Sequence, residues 1–215
     1  MIHAQNKILV NFFQFVSLLE FSLLLYFASG VIDGDLYKMF FLSFALLKHL
    51  PEQALKWASK HSPALHQLNV RPVGAKDCNS LNKGGCVGPT TTMRRRHDGW
   101  DDRIDGRPGM PSGHCTVITM YLTLHVSNML YLENHDKVRI NARSITLFLI
   151  LTIGTLLMGF ARTYLQCHTL PQVIVGYLLG FCLGMIAFWI SQKLTSKYPT
   201  FKKALLQFYT KPYLS

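Results

Sequence analysis

A chain of 215 residues that is 49% hydrophobic and only 15% charged is too apolar for a soluble protein of its size and falls in the membrane class. Its formal net charge of +11 does not call for a nucleic-acid partner, because the Lys and Arg residues lie in loops and tails where anionic lipid headgroups can meet them. The five cysteines show no paired CxxC spacing, which excludes a structural zinc site of the usual kind.

In chain order, apolar runs approaching the ~20 residues needed to cross a bilayer occur at 8–32, 36–59, 114–132, 143–161 and 170–190. They predict one all-α domain over 1–215, a multi-pass membrane helical bundle of about five to six transmembrane helices. The first run has Lys7 ahead of it and Ala28-Ser29-Gly30 behind it, as a signal peptide would. Its apolar part exceeds the ~7–15 residues of such a peptide, so it is expected to be a retained helix. Glu20 within it is costly in hydrocarbon, which makes it either a functional group or a hydrogen-bonding partner for another helix. The second run is the weakest: Lys48, His49, Pro51, Glu52 and Lys56 interrupt its C-terminal half, whose end is expected in the interface or against protein.

The loop of about 60–112 has neither a 3.6 nor a 2 period. Its MRRRHDGWDD segment reads as a solvated charge run, or more sharply as an electrostatic funnel for an anionic headgroup. Cys78 and Cys86 are expected to pair if this loop faces an oxidising compartment, while Cys115, Cys167 and Cys182 read as ordinary buried thiols. Residues 1–7, the long loop and the 162–169 turn share one membrane face. The 33–35 turn, the 133–142 loop and the tail 191–215 share the other, and Lys137, Arg139, Lys193, Lys197, Lys202, Lys203 and Lys211 predict that this second face is cytosolic.

Three segments converge on the first face: residues 52–72, 111–114 and 161–172. They bring together Lys60, Arg71, Ser112, His114, Arg162 and His168. Phosphoryl transfer spreads charge over three equatorial oxygens, so its catalysis is largely positioning with cations and N–H groups, and this set supplies both. Gly113 lets backbone approach a phosphate closely, and a helix beginning there points its first amides at an anion.

These residues carry a resemblance to the phosphatidic acid phosphatase type 2 superfamily, whose pattern is Lys-x6-Arg-Pro, Pro-Ser-Gly-His and Ser-Arg-x5-His-x3-Asp. Pro111-Ser112-Gly113-His114 matches letter for letter, and Arg162-x5-His168 has the family spacing. The resemblance covers about 55–190. Within the superfamily the chain looks most like the dolichyl-diphosphatase branch, with GMPSxH at Gly109–His114 and HTxxQVxxG at His168–Gly176. Three departures stand out. Lys60 and Arg71 have ten residues between them instead of six, leaving Lys56 and His66 as substitutes; Ala161 replaces the serine before Arg162; and Gln172 stands where most of the superfamily has aspartate.

What the resemblance implies is a helical bundle of that superfamily's kind and a phosphohistidine mechanism without metal or cofactor. His168 would be the nucleophile and His114 the proton donor, with Arg162, Lys60, Arg71, Ser112 and Gly113 holding the phosphoryl group. Gln172, four residues past His168 on the same helix face, would orient it, unless Asp98, Asp101, Asp102 or Asp105 does so. The expected partners are a lipid phosphate or diphosphate, most specifically a polyprenyl diphosphate such as dolichyl diphosphate, and membrane lipids, with a homodimer left open. The expected location is the endoplasmic reticulum with a lumenal site. The rivals are a phosphatidate or sugar monophosphate phosphatase and an inactive lipid-phosphate-binding protein.

Overall fold

The computed structural model describes residues 12–13, 15–16, 18–62, 109–165 and 167–210, with Lys60 as backbone only. Among them are seven α-helices and no strand: α1 (Leu19–Asp33), α2 (Leu36–Leu47), α3 (His49–His61), α4 (Gly113–Asn134), α5 (Ala142–Tyr164), α6 (Leu170–Lys197) and α7 (Pro199–Thr210). The protein is all-helical, and α4, α5 and α6 are long and apolar enough to cross a membrane.

The boundaries follow from local chemistry. Gly34 ends α1 in the left-handed region at φ 66°, which costs glycine nothing, and its N–H donates to Gly30 O. One residue on, Asp35 Oδ1 caps α2 by accepting the amides of Tyr37 and Lys38 at 3.0 and 3.1 Å. The apolar run expected as a single span over 36–59 is instead two helices that break at Lys48. The reason is Pro51, which has no N–H to give the Leu47 carbonyl four residues back. Asn141 caps α5 through Ser144 N–H at 2.7 Å, and α6 starts after Thr169 with Pro171 in its first turn.

Helices α4 and α6 form the most extensive pairing. Gly176, Gly180 and Gly184 recur every four residues along α6 and face α4. A Cβ at 176 would meet Ser112 O at 2.7 Å, one at 180 would overlap Thr116 O, and one at 184 would meet Thr123 Cβ at 2.6 Å. In lipid, where apolar side chains gain little by leaving their solvent, such small residues allow the backbones to approach and pack. The opposite side of α6 exposes Leu178, Phe181 and Trp189, as a lipid-facing surface would.

At the other end of the bundle α7 buries Phe201, Leu205, Phe208 and Tyr209. There Phe27 stacks on Phe41 at 4.5 Å and Tyr37 packs edge-on to Phe208 at 5.1 Å. The buried polar groups at this end form a directed chain. His125 Nε2 donates to Ser144 O at 2.9 Å, and the Tyr209 hydroxyl faces His125 Nδ1 and the Tyr37 hydroxyl, each at 3.1 Å. Asn128 Nδ2 donates to Tyr37 Oη at 2.7 Å, and Asn128 Oδ1 accepts from Gln192 at 3.0 Å. Polar groups paired in this way across α2, α4, α5, α6 and α7 tie this end of the bundle together.

Candidate active site

The site is built at the opposite end, where α4 and α6 start and α5 ends. Ser112 N–H donates to Gln172 O at 3.2 Å, so the turn before α4 is hydrogen-bonded to the first turn of α6. The Arg162 carbonyl accepts from the amides of Cys167 and His168 at 3.0 and 3.1 Å, which folds the α5–α6 connection back onto Arg162. These backbone bonds bring His168, Arg162, Ser112 and Gln172 to one place, as their order in the chain leads one to expect.

His168 is buried, and its Nδ1 lies 2.8 Å from Gly109 O and 3.2 Å from Gln172 Oε1. A backbone carbonyl can only accept, so in the neutral ring the proton sits on Nδ1 and Nε2 carries the lone pair. The glutamine that departs from the family pattern is therefore an acceptor for this ring, but a shared one. Its Oε1 also accepts from Thr169 N–H at 3.1 Å, and Gly109 O is the nearer partner. Sequence reasoning picked out Gln172 from its i+4 spacing and missed the Gly109 carbonyl, 59 residues from His168 in the chain. A Cβ at Gly109 would lie 2.5 Å from Gln172 Nε2 and 2.7 Å from Oε1, so any other residue there would have to displace this amide.

Arg162 is 2% exposed, and its Nε and Nη1 are buried without a hydrogen-bond partner among the described residues; Ser112 Oγ is in the same condition. A guanidinium with unpaired buried donors is costly unless an anion takes them, which makes these donors candidates to hold one. The first amides of α4, at Gly113 and His114, add N–H groups from a helix N-terminus.

His114 lies one residue into α4, with Nε2 3.7 Å from Glu20 Oε2. Glu20 Oε1 is 3.3 Å from Lys48 Nζ, which also donates to Gly113 O at 3.1 Å and lies 3.6 Å from Glu52 Oε2. Lys56 pairs with the other Glu52 oxygen. Lys48, Glu52 and Glu20 thus form a buried ionic cluster against the Pro-Ser-Gly-His turn. A Cβ at Gly113 would come within 2.8 Å of Glu52 Oε1, which explains the glycine there. Of this cluster only Glu20 stood out in the sequence, as an acid in an apolar run; Lys48 and Glu52 read as interruptions of a span.

Lys60 lies in the last turn of α3, and its side chain is outside the described residues. Arg71, His66, the segment with Asp98, Asp101, Asp102 and Asp105, and the expected Cys78 and Cys86 pair also lie outside them. Cys167, read from sequence as an ordinary buried thiol, is instead disulfide-bonded, to a partner outside the described residues. Of the other two, Cys115 is free and buried, and Cys182 is free but exposed on the outward side of α6. Among the described residues no group of three His, Cys, Asp or Glu side chains is arranged to hold a metal ion.

Neither curated proteins nor solved structures give a match to the chain. A family model does, over residues 38–196, from the start of α2 to the end of α6 and across every site residue described here except Glu20. With most of its length matched, the chain belongs to the PAP2 superfamily, whose members are phosphatases.

Proposed function

We propose that the protein is a lipid diphosphatase that cleaves a polyprenyl diphosphate, such as dolichyl diphosphate, to the monophosphate and phosphate through a phosphohistidine. The observation that carries this reading is the His168 ring, held through Nδ1 by Gly109 O and Gln172 so that Nε2 is the nitrogen able to attack, together with the unpaired buried donors of Arg162, whose carbonyl accepts from the His168 amide. The substrate choice rests on the resemblance of Gly109–His114 and His168–Gly176 to the dolichyl-diphosphatase pattern.

In this mechanism His168 Nε2 attacks the terminal phosphorus as the bond to the bridging oxygen breaks, and His114 gives that oxygen a proton. The departing polyprenyl monophosphate leaves a phosphoryl group on Nε2. His114, now neutral, takes a proton from water, whose oxygen attacks phosphorus and breaks the P–N bond to release phosphate. Arg162, Ser112 Oγ and the Gly113 amide hold the equatorial oxygens, with Lys60 and Arg71 assigned the same role by the family pattern. The site is assigned to the lumenal face of the endoplasmic reticulum, from the basic loop and tail at the opposite end.

Purified protein in detergent with EDTA present is expected to release phosphate from polyprenyl diphosphate faster than from phosphatidate. His168→Ala is expected to form no acid-labile phospho-enzyme, while His114→Ala lets it accumulate. Binding of polyprenyl diphosphate with no turnover by the unaltered protein would overturn the enzymatic reading, and faster hydrolysis of phosphatidate would overturn the choice of substrate.

A further inference from the structure

The ionic cluster against the Pro-Ser-Gly-His turn has a part that the family pattern does not use. Glu20 belongs to α1, ahead of the matched region. Its two oxygens are committed to different partners: Oε1 to Lys48 Nζ at 3.3 Å and Oε2 to His114 Nε2 at 3.7 Å. Lys48 is itself fixed by Gly113 O and Glu52, and is 5% exposed. The carboxylate is therefore held in place by a buried cation and presented to a ring that must carry a proton in order to give one away. A carboxylate at such a distance acts as counter-ion to an imidazolium and steadies its orientation, as the acid of a catalytic triad does for its histidine. Among the described residues the ionisable groups around this cluster include Lys48 at the α2–α3 break, His49, Glu52 and Lys56 from α3, Cys115 and Tyr121 from α4, Arg162 from α5 and His168 before α6. Lys48, Lys56 and Arg162 are cationic, and Glu52 is already shared between two lysines, so Glu20 is the acid at ion-pair distance from His114 among the described residues.

We propose that Glu20 is a positioning residue for His114: it holds the ring in its charged form and in register with the leaving oxygen, and so supports proton donation. This rests on the mechanism proposed above. A merely structural acid would lower the rate for every substrate alike. A residue acting through the proton donor matters most where the leaving oxygen is strongly basic, as the alkoxide of phosphatidate is, and far less for weakly basic ones such as nitrophenolate or the phosphate monoester released from a diphosphate.

The test compares phosphatidate with p-nitrophenyl phosphate in wild type, Glu20→Gln, Glu20→Asp, His114→Asn and Glu20→Gln/His114→Asn. The ratio of the two rates is read within each preparation, so the fraction of folded protein cancels. Glu20→Gln is expected to lose about 10- to 100-fold on phosphatidate, the range for an orienting contact, and only about threefold or less on the nitrophenyl ester. Glu20→Asp should regain part of the ratio, and the double variant should match His114→Asn, because the acid has no proton donor left to act through. Equal losses on both substrates, or full additivity in the double variant, would overturn the proposal while His114→Asn still reports on the mechanism. If Glu20→Gln yields no protein, Glu20→Asp with an unchanged ratio alongside an altered ratio in His114→Asn overturns it equally. A wild-type ratio that His114→Asn leaves unchanged would instead sink the proton-donor role of His114, and with it both readings.

Discussion

Gly109 and Gln172 give coupled mutational effects, and their sizes follow from the geometry. Gln172→Ala removes the longer of two acceptors from His168 Nδ1, leaving Gly109 O at 2.8 Å. A neutral hydrogen bond contributes about 0.5–1.5 kcal/mol net, so the loss in kcat/KM should be about two- to tenfold. That is smaller than the loss expected if Gln172 alone stood in for the family's aspartate. Gly109→Ala should cost more, although it deletes no polar group. Its methyl would sit 2.5 Å from Gln172 Nε2, forcing the amide and the carbonyl-bearing turn apart. Overpacking of this kind costs about 1–3 kcal/mol, or roughly five- to 150-fold if it falls on the His168 contact. Combining the two removes the obstruction, so Gly109→Ala/Gln172→Ala should recover activity relative to Gly109→Ala and approach Gln172→Ala. Single-turnover trapping of the phospho-enzyme is the assay, since it reads the attack by His168 apart from product release. A double variant worse than either single one would refute the packing argument. A loss well beyond a hundredfold in Gln172→Ala would show that the backbone carbonyl does not share the task.

Arg162→Met removes a buried cation with unpaired donors, so it should abolish turnover while raising the melting temperature of the anion-free protein; added orthovanadate should stabilise wild type only. A lower melting temperature in the variant without anion would contradict this. Gly180→Val pushes a branched side chain into the Thr116 carbonyl and should cost about 1–3 kcal/mol in detergent unfolding, with an unchanged melting curve as the refuting result. Tyr209→Phe takes the hydroxyl away from both His125 and Tyr37 and should cost about 1–3 kcal/mol while leaving kcat near wild type; a selective loss of kcat would mean that the two ends of the bundle communicate. Non-reducing peptide mapping should find Cys167 in a disulfide, and a freely alkylated Cys167 in protein from an oxidising compartment would count against it.

Sequence alone determined the features set by nearest-neighbour chemistry. Three spans were legible as unbroken apolar runs, and Gln172 was legible as a partner of His168 from its four-residue spacing, although His168 lies ahead of the Thr169 cap and outside α6, so a turn and not a shared helix face makes the contact. The glycines of α6 were equally visible as letters, but only the tertiary structure shows that they admit the backbone of α4. Tertiary structure also decided which acceptor lies nearest the His168 ring, because the Gly109 carbonyl reaches it through a turn packed from far along the chain and carries no side-chain signature. It turned the charged interruption at Lys48, Glu52 and Lys56 from the frayed end of a span into a fixed ionic cluster, and it brought Glu20 from α1 to His114. The physical reason is that periodicity encodes which face of a helix is apolar, whereas the partner of a buried charge is selected by the packing of separate helices, where an unpaired ion costs too much to leave alone.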